Sequence, residues 1–161
     1  MSDMSHERAT APLVIASNRG PVDFAVTDDG GITARRGEGG LIAVLGPVLA
    51  DGDGVWIAAA RTEGDRVMAR RAAAEGRLSM VDLPEGRVAL RALEFDPGDY
   101  DAYYSTVGTQ TLWFLHHHLL DEAWPQDHAR FRADWGAYTR VNDGFAAACA
   151  EVASQIGRAH V

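Results

Sequence analysis

Hydrophobic and polar positions divide the chain into short apolar runs and longer amphipathic stretches. The runs 13–17 and 55–60 are almost continuously apolar, which is typical of strands buried on both faces of a parallel sheet. Apolar residues recur at helical spacing over 41–49 and 131–154, so we expect amphipathic helices there. A further helix is expected from Asp65 to about Glu75, ended by Gly76. Strands that alternate with helices predict an α/β fold built on a Rossmann-like parallel sheet.

A β-hairpin is predicted between the first strand and the first helix. Residues 22–27 and 32–36 alternate apolar and polar side chains on either side of Asp28-Asp29-Gly30-Gly31. Short glycine-containing turns of this kind join antiparallel strands. Because the hairpin interrupts the order of strand and helix, we expect it to hang near the end of the first strand, like a flap over a site.

The middle of the chain contains two further strands and a helical region. Residues 78–83 and 87–93 predict strands joined by a turn at Pro84-Glu85-Gly86. The second of these strands should be less buried, because charged residues alternate with its apolar ones. The helical region begins at Asp96-Pro97 and is expected to end at Trp124-Pro125, since proline does not continue a helix.

Composition and charge exclude several classes of function. The chain has 161 residues and a formal net charge of −8, which opposes nucleic-acid binding. The single cysteine, Cys149, excludes a disulfide framework within the chain, and the lack of lysine excludes Schiff-base chemistry. No apolar run approaches the roughly 20 residues that span a bilayer, and no signal peptide is visible. We expect a soluble, cytoplasmic protein with a loose tail at residues 1–11.

Two features lie where open α/β sheets bind ligands, beyond the carboxyl ends of the strands. Arg19 follows the first strand, and arginine binds phosphate with two parallel hydrogen bonds; a surface ion pair is the alternative. A glycine-rich turn at 37–40 opens the first helix. Its free N–H groups form a phosphate site in principle, with a simple turn as the alternative.

Other chemically suggestive residues have structural interpretations. His116-His117-His118 cannot converge on one metal ion, because successive helical residues point about 100° apart. We therefore expect one or two of these histidines to pack in the core or between helices. Asp99 and Asp101 lie near a helix start, where carboxylates act as caps. Tyr104 and Trp113 are either core aromatics or part of a site.

Six short motifs follow one another in a fixed order. They are Leu-Val-Ile-Ala-Ser-Asn-Arg (13–19), Gly-Gly-Leu (39–41), Val-Trp-Ile-Ala (55–58), Asp-x-Tyr-Tyr (101–104), Leu-Trp (112–113) and Trp-x-x-Tyr-x-x-Val-Asn-x-x-Phe-Ala (135–146). Together they resemble the N-terminal part of the trehalose-6-phosphate synthases, which are retaining GT-B glycosyltransferases with two Rossmann-like domains. The resemblance covers about residues 13–150.

This resemblance implies roles for particular residues. Arg19 would bind the phosphate of the acceptor, glucose 6-phosphate, and Tyr104 and Trp113 would line the acceptor pocket. Gly39 and Gly40 would approach the phosphates of the nucleotide-sugar donor. The implied reaction moves glucose from UDP- or GDP-glucose to glucose 6-phosphate with retention, giving trehalose 6-phosphate. The family is thought to need no protein nucleophile, cofactor or metal for this step.

One departure from the family concerns the acceptor. The family reads Trp-x-Gly-Trp-x-Gly on the second strand, where this chain has Trp56-Ile57-Ala58-Ala59-Ala60-Arg61. Ala59 thus replaces a tryptophan that touches the acceptor, and Arg61 adds a charge, so both are candidate positions for acceptor specificity. The alternatives are a paralogue with another acceptor, of pseudo-glycosyltransferase or glucosyl-polyol-phosphate synthase type, and a non-catalytic module that binds sugar phosphates.

The resemblance also bears on the extent of the domain. Residues 12–155 would form a partial N-terminal, acceptor-side domain, with the donor-gripping second domain missing. We therefore expect no glycosyl transfer by residues 1–161 alone, and homo-oligomerisation of the full-length protein stays open. Residues 156–161 match the translation of a common sequencing-adapter string, and we interpret them as a non-native read-through tail.

Overall fold

The computed structural model describes residues 13–37, 40–50, 54–123 and 127–158. The predicted tail at 1–11 lies outside the described residues, as does Gly39. The strands are β1 (Val14–Ser17), β2 (Val22–Val26), β3 (Ile32–Arg36), β4 (Val55–Ala59), β5 (Ser79–Leu83) and β6 (Gly86–Leu93). The helices are α1 (Gly40–Ala50), α2 (Glu63–Ala74), α3 (Pro97–Asp101), a π-helix (Ala102–Leu112), α4 (Trp113–His116), α5 (Leu120–Ala123) and α6 (His128–Arg158).

Four strands form one sheet in the order β1-β4-β6-β5. β1, β4 and β6 run parallel, whereas β5 joins β6 as an antiparallel edge strand. This confirms the predicted α/β fold with a parallel sheet. All of β4 is buried, but β1 is only partly buried. The expectation that β1 is buried on both faces is wrong, because β1 lies at the edge and pairs with β4 alone within the described part of the chain.

The two faces of the sheet are covered by different elements, since successive side chains of a strand point to opposite faces. On one face, fully buried Trp56 packs in a core that includes Leu49 of α1 and Phe24 of the hairpin. On the other face, Ile57 packs with Val152 of α6. The helices and the hairpin thus cover both faces of the sheet, so the ends of its strands are where a binding site is expected.

The hairpin forms as predicted, with residues 22–26 paired antiparallel to residues 32–36. It is not a free flap, because it is fixed to the N-terminal end of α2. The Phe24 N–H donates to the Asp65 carboxylate at 2.8 Å, and the Thr62 hydroxyl donates to the Phe24 carbonyl at 2.5 Å. Phe24 itself is buried in the core. The flap interpretation is therefore wrong, and the hairpin is a fixed wall beside the strand ends.

The helical region after β6 is divided. α3 passes directly into a π-helix of 11 residues and then into α4. This helix ends at His116, earlier than expected, because His118 takes a left-handed φ of 60°. The predicted stop at Trp124-Pro125 lies outside the described residues. Across the described ranges, no helix is both long enough and apolar enough to cross a membrane.

Candidate functional site

Parallel strands bring two of the predicted site residues to one edge of the sheet. Ser17 of β1 lies beside Ala58 of β4, and neighbouring strands are about 4.8 Å apart. The chain continues from these strands to Arg19 and to Arg61, so both arginines leave the sheet at the same edge. This edge, beyond the carboxyl ends of the strands, is where open α/β sheets bind ligands.

The loop that carries Arg19 is held by hydrogen bonds from the core. The indole N–H of buried Trp56 donates to the Ser17 hydroxyl at 2.8 Å, and that hydroxyl donates to the Arg19 carbonyl at 2.6 Å. A β-carbon at Gly20 would lie 3.4 Å from the Ala58 β-carbon, so the loop crosses closely over β4. The backbone of Arg19 is thus fixed while its side chain is exposed.

A cavity of about 290 Å³ lies beside this loop. Its wall includes Asn18, Tyr104, Thr109, Trp113 and Tyr138. The structure thus brings together two predicted acceptor residues, Tyr104 and Trp113, which are 38% and 47% exposed. Arg19 does not line this cavity itself but follows Asn18, which does. The alternative interpretation of these two aromatics as core residues is wrong, because neither is buried.

The π-helix explains how Tyr104 and Trp113 share one wall. They are nine residues apart, which is two and a half turns of an α-helix at about 3.6 residues per turn and would place them on opposite sides. In a π-helix, whose hydrogen bonds span five residues, nine residues are about two turns and place them on the same side. π-helical turns are frequent at functional sites.

Aromatic contacts and an ion pair join the cavity wall to α6. The ring of Tyr103 stacks on that of Tyr138 at 5.4 Å between centroids, and Tyr100 stacks on Tyr104 at 6.1 Å. The Arg140 guanidinium donates two hydrogen bonds to the Asp99 carboxylate, at 2.8 and 2.6 Å. These contacts hold α3 and the π-helix against α6, so the cavity is bounded by elements packed on each other.

Two phenols near the cavity keep their protons. Burial raises the pKa of Tyr100 above its ordinary value, although the positive charges of Arg61 and Arg19 act in the opposite direction. Burial likewise raises the pKa of Tyr103, and the neighbouring Asn18 amide lowers it in part. Both hydroxyls are therefore protonated at neutral pH and available as hydrogen-bond donors.

The glycine-rich turn lies against the Arg19 loop. The Gly37 N–H donates to the Pro21 carbonyl at 2.9 Å, and a β-carbon at Gly37 would lie only 2.6 Å from the Ile42 side chain. Gly40 is the first residue of α1 and is exposed, whereas Gly39 lies outside the described residues. The N-terminal end of α1, a favourable place for an anion, is thus next to the loop that carries Arg19.

Ala59 and Arg61 lie at the end of β4 but in different surroundings. Ala59 is buried, and the Arg61 side chain is exposed. The backbone N–H groups of Arg61 and Thr62 donate to one oxygen of Asp65, at 2.9 and 2.8 Å. This carboxylate therefore fixes the backbone from which the Arg61 side chain extends.

The residues with structural interpretations lie apart from this arrangement or at its border. His116-His117-His118 are all exposed, so the expectation of core packing is wrong, although the His117 ring stacks on Trp113 at 3.9 Å. Within the described ranges, no three histidine, cysteine or acidic side chains are grouped to hold a metal ion. The N-terminal cap of α3 is Asp96, whose carboxylate accepts from the N–H groups of Gly98 and Asp99.

Sequence reasoning missed three residues near the strand ends. Tyr103 and Tyr138 line the cavity, and Tyr100 stands close enough to Arg19 and Arg61 for both charges to affect its phenol. Their spacing in the sequence predicts only the apolar faces of helices. Because they are half-buried aromatics on helical faces, no local pattern separates them from core residues.

A comparison with protein families decides which family contains this fold and site. The model described as glycosyltransferase family 20 matches residues 11–157. The chain belongs to glycosyltransferase family 20. Curated relatives include the trehalose-6-phosphate synthase of Mycobacterium tuberculosis strain H37Rv, 31% identical over 144 residues. That of Mycolicibacterium smegmatis is 29% identical over 151 residues.

Two solved structures share this fold. An α,α-trehalose-phosphate synthase (UDP-forming) from Burkholderia vietnamiensis matches with a TM-score of 0.54 and 23% identity, over 88% of this chain and 26% of that chain. An E. coli structure, described as trehalose-6-phosphate bound with UDP-2-fluoro glucose, matches with a TM-score of 0.50 and 24% identity, over 81% and 23% of the two chains.

The matched region makes up most of this chain but only part of each relative. It takes in 88% of this chain but 26% of the M. tuberculosis protein, and 91% of this chain but 25% of the M. smegmatis protein. This chain thus spans about a quarter of the length of the curated relatives it matches.

Proposed function

We propose that this chain is the acceptor-side portion of a retaining glycosyltransferase that moves glucose from UDP- or GDP-glucose to glucose 6-phosphate, giving trehalose 6-phosphate. The observation that carries the proposal is the cavity on which the π-helix aligns Tyr104 and Trp113, next to the strand end that carries Arg19. Membership of glycosyltransferase family 20 supports it.

The cavity has the chemistry that a sugar phosphate requires. The C–H faces of a sugar pack on aromatic rings such as those of Tyr104 and Trp113, while its hydroxyl groups need polar partners such as Asn18 and Thr109. A phosphate group on that sugar would be bound by the exposed Arg19 guanidinium, whose planar fork matches phosphate oxygens. Each kind of partner is present at this edge of the sheet.

Catalysis would then rest on positioning. We propose that the chain holds the acceptor hydroxyl against the donor sugar, and that the N-terminal end of α1, with Gly39 and Gly40, approaches the donor phosphates. On this proposal no metal or cofactor takes part.

The decisive test measures how the chain binds glucose 6-phosphate and glucose by titration calorimetry. Arg19→Ala should weaken binding of glucose 6-phosphate about tenfold to a hundredfold, because a charge-assisted hydrogen-bond pair is lost. Binding of glucose should change little. Arg87→Ala is the matched control, because Arg87 is an exposed arginine in β6 near the opposite end of the sheet. Unchanged affinity of Arg19→Ala for glucose 6-phosphate would sink this assignment.

A second candidate is a family paralogue that uses another acceptor. It is favoured by the end of β4, where Ala59 replaces the tryptophan of the family motif and the exposed Arg61 adds a charge. A paralogue of pseudo-glycosyltransferase or glucosyl-polyol-phosphate synthase type would bind its own cyclitol or polyol phosphate more tightly than glucose 6-phosphate. The same titration with a panel of phosphorylated acceptors distinguishes the two. A non-catalytic module would bind the acceptor but show no turnover in the full-length protein.

A further inference from the structure

We infer that Arg61 is a second phosphate-binding residue, and that Arg61, Arg19 and the Tyr100 hydroxyl together form one site for a phosphomonoester dianion. The inference deepens the proposed function, and rests on it for the identity of the sugar phosphate. It assigns the acceptor phosphate to two guanidinium groups that follow the ends of neighbouring strands, rather than to Arg19 alone.

The first support is the register of the sheet. Ser17 of β1 and Ala58 of β4 lie side by side. Arg19 is the second residue after Ser17 and Arg61 is the third after Ala58, so the two arginines follow the ends of adjacent strands. Both backbones are fixed, because the Ser17 hydroxyl binds the Arg19 carbonyl and Asp65 binds the Arg61 N–H. Two long side chains on anchored neighbouring backbones can reach one anion between them.

The second support is that the carboxylates near Arg61 are engaged elsewhere. Glu63 pairs with Arg66 and Arg70, and Glu94 also pairs with Arg70. The Asp65 carboxylate accepts from backbone N–H groups instead.

In the described part of the chain, neither Arg61 nor Arg19 has a carboxylate partner. Two uncompensated guanidiniums at one strand edge repel each other, and a dianion between them removes that repulsion.

The third support is an unused hydrogen-bond donor, the Tyr100 hydroxyl, on which the charges of both arginines act. The Tyr100 hydroxyl is shielded from solvent and lacks a hydrogen-bond partner among the described residues. Buried polar groups are rarely left unsatisfied, and those that are call for an explanation. The charges of both Arg61 and Arg19 act on this phenol, which associates it with the same part of the site. A phosphate oxygen would give it an acceptor when side chains around the hydroxyl move to admit the ligand.

The test compares Arg61→Gln with the wild-type chain in titrations with glucose 6-phosphate, inorganic phosphate and glucose at fixed salt. Arg61→Gln should weaken binding of both phosphates about tenfold or more and leave glucose unchanged. Arg61→Lys should recover part of the loss, because it keeps the charge but not the planar fork. Tyr100→Phe should weaken phosphate binding by a smaller factor. Arg87→Gln is the matched control for the lost charge.

The outcomes separate this inference from the proposed function. If Arg61→Gln binds glucose 6-phosphate like wild type while Arg19→Gln does not, the two-arginine site is wrong and the proposed function stands. If the wild-type chain binds inorganic phosphate through both arginines but does not bind glucose 6-phosphate, the two-arginine site stands and the proposed acceptor is wrong. If the wild-type chain binds neither phosphate, both are wrong. Circular dichroism of each variant verifies that it is folded.

Discussion

At the scale of single residues, Asp65 holds the strand edge together. Its carboxylate is buried and accepts from the N–H groups of Phe24, Arg61 and Thr62. Asp65→Asn replaces one acceptor oxygen by an amide donor that faces backbone N–H groups. We expect a loss of about 1–3 kcal/mol in the free energy of unfolding, the cost of leaving a buried polar group unsatisfied. Urea denaturation measures it, with the exposed Asp82→Asn as control, and equal stability of the two variants would contradict this role.

At the scale of elements, the π-helix sets the wall of the cavity. A β-carbon at Gly108 would lie 3.0 Å from the Tyr103 carbonyl, and alanine favours the α-helix over glycine by about 1 kcal/mol. Gly108→Ala should therefore shift this segment toward α-helical geometry and turn Tyr104 away from Trp113. We expect weaker binding of glucose 6-phosphate at unchanged helix content, measured by titration and circular dichroism.

The control for this element is Gly136→Ala in α6, where the added β-carbon meets the Arg140 side chain at 3.4 Å and no backbone. It should bind glucose 6-phosphate like wild type. Amide NMR contacts distinguish the two helical forms directly. Retention of contacts five residues apart in Gly108→Ala would show that glycine is not what permits the π-helix.

The link between α3 and α6 gives these elements a dependence on pH. Hydrogen bonds from Arg140 lower the pKa of Asp99 below its ordinary value of 3.8. The ion pair therefore stabilises the fold fully above that value, and its contribution is lost as the pH falls through the lower pKa of the folded state. Asp99→Asn should remove this part of the acid sensitivity. Melting temperatures of the wild type and Asp99→Asn between pH 2 and 7 check this, with the exposed Asp143→Asn as control. Equal acid sensitivity of the wild type and Asp99→Asn would show that the ion pair does not stabilise the fold.

At the scale of the whole molecule, the sequence predicts the order of the elements but not how they are fixed. The continuous apolar run of β4 and the alternation around Asp28-Asp29 identify strand and hairpin, because burial and turn chemistry are local properties. The docking of the hairpin depends on a contact between Phe24 and Asp65, 41 positions apart, which no local pattern contains. The position of β1 at the edge depends in the same way on the partners of the sheet.

The candidate site is likewise predictable from the sequence only in part. Arg19 is predictable, because it follows an apolar strand and strand ends bind ligands in this fold class. The grouping of Tyr104 with Trp113 is not, because it depends on a π-helix, and α-helical spacing places these rings on opposite sides. The nearness of Arg61 to Arg19 that we infer depends on the register of β1 against β4, and this register exists only in the assembled sheet.

The clamp between the hairpin and α2 has a consequence for the order of folding. Hairpins of this size form in about 1–10 μs from local contacts alone, whereas closing a chain of 41 residues between Phe24 and Asp65 costs entropy that must be offset first. Gly64 adds a steric condition, because any β-carbon there would collide with the Phe24 carbonyl. The pairing of β1 with β4 joins residues that are also 41 positions apart, so the hairpin is expected to form early, and the sheet and the edge that carries Arg19 and Arg61 are expected to form later.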